Sequence, residues 1–156
     1  MILTTSRKPG RKTRRLAKVL ARFMGWRYVQ RGKLSLDELS EFSDFAIVQE
    51  IKGNPAILRV FRRGREVLYL RFNAGEVEKV KMEPGPVVFV GKPPFDPLVL
   101  GAIPHTKAGM KFAQKIDARK KVYVRRTGKT IVLDFTYGEK TIMRLKCYES
   151  GIQFRN

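Results

Sequence analysis

Residues 1–33 read MILTTSRKPGRKTRRLAKVLARFMGWRYVQRGK, and from Arg7 to Lys33 there is no acidic side chain. Eleven cations fall in that span: Arg7, Lys8, Arg11, Lys12, Arg14, Arg15, Lys18, Arg22, Arg27, Arg31 and Lys33. The block is nevertheless periodic. Leu16, Val19, Leu20, Phe23 and Met24 recur at i, i+3, i+4, i+7 and i+8, the apolar stripe of an amphipathic helix. Thr13 is the expected cap, and Gly25 suits the position just past the end. Arg11, Arg15, Lys18 and Arg22 share the opposite side as a cationic ridge. Like charges at i, i+4 repel. A folded helix carrying such pairs with no acid beside them points to an external anion, and the preference for Arg over Lys suits forked phosphate contacts.

The rest of the chain agrees with that anion. It has 156 residues, enough for a single domain, with 33 Lys and Arg against 14 Asp and Glu, a net charge of +19. A field of that sign attracts nucleic acid before contact. Hydrophobic content of 43% describes a folding chain. One cysteine, Cys147, excludes an internal disulfide and a cysteine zinc site. No apolar run is long enough to span a bilayer, and Met1–Leu3 are too few for a secretory leader. A soluble, cytoplasmic monomer is expected, with no membrane partner and no cofactor.

Outward from the first block, 2–5 and 26–30 read as strands on either side of the helix. Ser35 and Glu38 form a capping box for a short helix ending near Phe42. Strands follow over 45–51, 56–61 and 66–72, the last two joined by a basic hairpin tip of Arg62, Arg63 and Arg65. Residues 73–86, with two prolines and two glycines, divide an N-terminal half of about 1–75 from a C-terminal half of about 86–156. The second half reads as a strand over 87–90, a helix over 106–116, and strands over 121–125, 130–137 and 141–148, with a short last strand at 152–154. Alternation assigns Leu68, Leu70 and Phe72, and Ile131, Leu133 and Phe135, to core faces. Tyr69 and Tyr123 fall on the other face, at a rim.

Catalysis finds little support. His105 is the only histidine and sits in a loop, the acids are scattered without metal-ligand spacing, and Ser6 has no identifiable base. No catalytic residue and no metal site are assigned.

Leu3-Thr4-Thr5-Ser6-Arg7-Lys8-Pro9, followed by Arg11, Thr13, Arg14 and Arg15, then Gly25-Trp26-Arg27-Tyr28 and Arg31-Gly32, resembles the start of the Brix domain. The short length is similar to that of archaeal single-domain members. Glu149-Ser150-Gly151-Ile152-Gln153-Phe154 resembles the family's terminal E-x-G-P-x-F pattern, with Ile152 where the pattern has proline. The resemblance implies a non-enzymatic ribosome-biogenesis factor that binds precursor ribosomal RNA beside other assembly proteins. It also implies an α/β (α+β) fold of mixed sheets with few helices, in two related halves similar to the anticodon-binding domain of class II aminoacyl-tRNA synthetases. Arg7, Lys8 and the helix ridge would lie on the RNA side, and exchanging Arg15, Lys18 and Arg22 together for Glu should abolish binding. The rival readings are a tRNA-binding accessory module, a structural ribosomal or chromatin protein, and a nuclease.

Overall fold

A computed structural model describes residues 1–42 and 44–155. In chain order the elements are β1 (Ile2–Thr5), α1 (Arg11–Met24), β2 (Arg27–Tyr28), α2 (Leu36–Leu39), β3 (Asp44–Ile51), β4 (Asn54–Arg62), β5 (Arg65–Ala74), β6 (Val87–Val90), a 3₁₀ turn (Pro97–Leu100), α3 (Lys107–Lys115), β7 (Lys120–Thr127), β8 (Thr130–Tyr137) and β9 (Lys140–Phe154). The expected mixed strands and few helices are found, with the strands joined in one curled nine-stranded sheet in the order β2-β1-β3-β4-β5-β9-β8-β7-β6.

Both halves of that sheet repeat one pattern. β1 runs parallel to β3, which continues antiparallel into β4 and β5. β6 runs parallel to β7, which continues antiparallel into β8 and β9. Each parallel pair is bridged by a crossover containing a helix, α1 or α3. The two sets meet where β5 pairs antiparallel with β9, Leu70 opposite Ile152 and Phe72 opposite Cys147. β9 runs unbroken through Ser150 and Gly151, where the sequence suggests a gap. A register shift between Leu70 and Phe72 absorbs the irregularity.

Strand alternation makes two cores. Ala46, Val48, Leu58, Val60, Leu68, Leu70 and Phe72 face α1 and join Ile131, Leu133 and Phe135 from the second half. Phe45 and Ile47, one residue out of phase on β3, turn to the opposite face and pack with Ile2 and Leu39 under α2. Phe45 and Phe61 stack there at 4.6 Å. The chain reverses at Lys52–Gly53 and at Arg63–Gly64 in two-residue turns whose residues all have positive φ, 51° and 81°, then 53° and 76°. These are the turns whose twist matches paired strands, and glycine takes the second place without a Cβ clash.

α1 begins earlier than its apolar stripe suggests. Gly10 is extended and precedes Arg11, so Thr13 is not the cap but lies inside the first turn. Its hydroxyl donates to Glu50 Oε1 at 2.6 Å, and the Gly10 N–H donates to the same oxygen at 2.8 Å. The first turn has no acid of its own and carries Arg11 and Lys12, the wrong sign for a helix N-terminus. Glu50, brought from β3, supplies the missing anion. These hydrogen bonds, Thr13 first and Gly10 second, hold its carboxyl below the usual glutamate range against the opposing effect of burial. Its stabilising contribution is therefore present at neutral pH and lost as pH falls through that lowered value. Glu50→Ala is expected to cost about 1–2 kcal/mol near neutrality. In acid-limb unfolding curves the variant and the parent should converge; a constant gap down to low pH would contradict the charge-based account.

The second helix behaves differently. Thr106 Oγ1 caps α3 by accepting from the Gly109 N–H at 3.1 Å. Its expected stripe of Met110, Ala113 and Ile116 is only half-buried, and Phe112 is exposed. α1, not α3, fills the concavity of the sheet.

Candidate nucleic-acid interface

α1 ends in a tight backbone device that shapes the basic surface. Gly25 turns left-handed at φ 74°. The Trp26 N–H then donates to Ala21 O at 2.8 Å and the Gly25 N–H to Arg22 O at 3.4 Å, a Schellman ending. Lys120 on β7 completes it: its buried ammonium donates to Arg22 O at 3.3 Å, a cation at the negative end of the helix. Burial pulls the Lys120 pKa down from its ordinary value. The chain then runs through Trp26 into edge strand β2, which sets Trp26 and Tyr28 beside the exposed face of α1.

Between them lies an open groove of about 690 Å³. Arg11, Arg14, Arg15, Lys18 and Arg22 line it from the helix, Trp26 and Tyr28 from the edge, and Lys79 from the segment between the halves. Lys18 Nζ stands 5.6 Å from the Tyr28 ring centroid. Burial raises the Tyr28 pKa, and the nearby Arg14 pulls it the other way. Arg15 Nε donates to Val77 O at 2.9 Å, tying the inter-half segment to the helix. Lys12 is exposed on the other flank of α1, in a second groove with Asn54, Pro55, Asn73 and Glu76.

The remaining residues of the basic block are placed unequally. Arg7 and Lys8 are exposed on the loop before α1, where Lys8 has a positive φ of 49°. Arg27 is exposed on edge strand β2, and Lys33 is exposed in the following turn. Arg31 departs from the expected contact set, because it is buried. Its Nε donates to Leu34 O at 2.6 Å and its NH1 to Thr5 O at 3.0 Å, so it braces the end of β1 from within. Burial, and next the Arg7 charge, lower its pKa.

Among the described residues, no acid forms an ion pair with the ridge. The ion pairs among the described residues join Arg59 to Glu66, Arg62 to Asp44, Arg125 and Arg144 to Asp134, Arg126 to Glu149 and Lys140 to Glu78. None includes a cation of residues 7–33. Glu38 bonds to its capping partner Ser35. The other basic tips are partly committed: Arg62 also donates twice to Val99 O, at 3.0 and 2.6 Å, while Arg63 and Arg65 stay exposed.

Other chemistry has little material here. Cys147 is fully buried and its thiol is pushed up to about 12 by that burial, so it is not a nucleophile at neutral pH. Among the described residues no three of His, Cys, Asp or Glu are grouped to hold a metal ion. No helix of the described residues is long and apolar enough to cross a membrane.

No family model matches the chain. It is, however, 58% identical over 125 residues to a protein of Archaeoglobus fulgidus named probable Brix domain-containing ribosomal biogenesis protein, an alignment covering 80% of this chain and 82% of that one. The chain belongs to the Brix domain-containing ribosomal biogenesis proteins. The solved structure of Mil, an archaeal Imp4-like protein, superposes on 99% of both chains with a TM-score of 0.70 and 28% identity. A probable ribosomal biogenesis protein from Aeropyrum pernix shares the fold over 94% of both chains, with a TM-score of 0.64 at 17% identity. The family resemblance carried by residues 3–32 is therefore met. In this Brix protein Lys79, Trp26 and Tyr28 line the groove without belonging to the cations that the sequence marks. Lys79 sits in a segment that reads as a linker, and Trp26 and Tyr28 read as ordinary strand residues until the Gly25 turn places them beside α1.

Proposed function

We propose that this Brix protein binds precursor ribosomal RNA through the exposed face of α1 and serves subunit assembly as a docking or remodelling factor, without catalysis. The observation that carries the reading is the groove beside α1, with six cations around it and no described ion pair on any of the helix residues. Arg11/Arg15, Arg14/Lys18 and Lys18/Arg22 are each an i, i+4 repulsion, which bound phosphates would relieve. Arg7, Lys8, Arg11, Lys12, Arg14, Arg15, Lys18 and Arg22 form the contact set, Lys79 adds to it, and Arg27 and Lys33 flank it. Arg31 supports the surface without touching RNA. We further read the protein as a cytoplasmic monomer working beside other assembly proteins. The repeated strand order supports two related halves similar to the synthetase anticodon-binding domain.

The test is a salt series. Six phosphates neutralised across the groove give a plot of log affinity against log salt with a slope between about −4 and −5.5. A slope near zero for a ribosomal RNA fragment would remove the phosphate-docking mechanism. Equal or tighter binding of duplex DNA would favour a chromatin-type role.

A further inference from the structure

The groove has a component that phosphate docking leaves unused. Two of its lining residues, Trp26 and Tyr28, are aromatic and half-buried. Each packs against the core on one side and opens to the groove on the other. The one buried side-chain polar atom without a partner among the described residues is Thr4 Oγ1. The indole N–H and the phenol hydroxyl, which no described group engages, therefore reach solvent. Lys18 lies over the Tyr28 ring, and no described cation covers the indole of Trp26. The Trp26 backbone is fixed by the 2.8 Å bond to Ala21 O, which holds the residue at the groove.

A basic ridge alone would serve duplex and single strand alike, because both present phosphates. A regular duplex hides its base faces in the stack. An unpaired base exposes a π face, and indole is a good surface for it. The groove, about 690 Å³ and open to solvent, is wider than one phosphate needs. β2 is the outermost strand of the sheet, so the groove is open at its side to a flexible chain.

We propose that this groove receives an unpaired nucleotide of the bound RNA, its base stacked on Trp26 and its flanking phosphates on Arg14, Lys18 and Arg22. The inference rests on the RNA-binding reading above and narrows it. The ligand is single-stranded or bulged RNA, and the basic face of α1 is the entry to a base-reading pocket.

Trp26 is the only tryptophan in the chain, so its emission reports the site without a label. Titration with a short single-stranded RNA of mixed sequence is expected to quench it saturably. A blunt duplex of the same sequence should bind with little quenching. Trp26→Leu, which keeps an apolar group against the core, is expected to weaken single-strand binding about tenfold, while Trp26→Phe retains most of the affinity. Equal quenching by duplex, or native single-strand affinity in a folded Trp26→Leu protein, overturns the stacking site and leaves salt-dependent ridge binding standing. Binding of neither RNA overturns both. If Trp26→Leu does not fold, the comparison of single strand with duplex on the unmodified protein decides the matter alone.

Discussion

Replacing Arg14, Lys18 and Arg22 together by Glu is expected to weaken RNA binding by about a thousandfold or more at low salt while leaving the protein folded. All three side chains are exposed on α1, line one groove and lack a described acid partner. Their reversal changes the local charge by six units where phosphate is to sit. The folded state loses little. Arg14/Lys18 and Lys18/Arg22 are repulsive pairs worth about 0.2–0.5 kcal/mol each, and the substitutions do not enlarge that repulsion. Glu at position 22 puts an anion in the last turn at a cost of about 0.3–1 kcal/mol, and Glu at position 18 gives up the contact over the Tyr28 ring, about 0.5–1 kcal/mol. The net effect on unfolding should stay below about 2 kcal/mol. Arg15 is left in place because its Nε holds Val77 O. Substituting it, as the sequence alone suggests, would confound lost charge with a loosened inter-half segment. Unchanged affinity in this triple variant, with native circular dichroism and thermal unfolding, would end the ridge proposal.

The largest loss of stability is expected from Phe23→Ala, about 3–5 kcal/mol. Phe23 has no exposed surface and meets Phe135 edge-to-face at 5.3 Å. The first ring belongs to α1 and the second to β8 of the other half, and the Lys120–Arg22 O bond lies next to them. A domain of this size is held by about 5–15 kcal/mol in total, so the change removes a large share. Because one helix fills the core of both halves, denaturant unfolding should remain a single transition shifted to lower midpoint. Two separated transitions in the variant would show that the halves are independent units and that α1 is not their common core.

Much of this was legible in the chain because the signals are local. The stripe from Leu16 to Met24, the Ser35–Glu38 box and the alternation at Leu68–Phe72 and Ile131–Phe135 each report what their own neighbours will do, and the elements form where these signals lie. The errors share a different cause. Thr13 reads as a cap because the residue that ends the search for one, Glu50, arrives from another strand. Arg31 looks like any other cation of its block, since nothing nearby announces that Thr5 O and Leu34 O will enclose it. The gap expected at Ser150–Gly151 is met as a bulge within β9, where the pairing with β5 jumps from Ile152 to Cys147, a long-range irregularity that local sequence does not announce. The weak stripe of α3 gives no warning that α1 would take the concave face. The groove itself was half visible. Its cations are written in the helix period, but Lys79 comes to it through a segment with no periodic pattern, and Trp26 through a single left-handed glycine.

The joint between β5 and β9 also governs when this molecule becomes whole. β5 has finished its hairpin with β4 by Ala74, yet its free edge is covered only by residues from Leu145 to Phe154. A ribosome making the chain from its N-terminus must deliver β9 before that edge can be closed. Until then the nascent chain carries an open, apolar ladder of hydrogen-bonding groups, the kind of surface that recruits a second strand from a neighbour. Completion of the fold is thus timed by synthesis of the final strand, and the second half acts for most of that interval as the missing cover of the first.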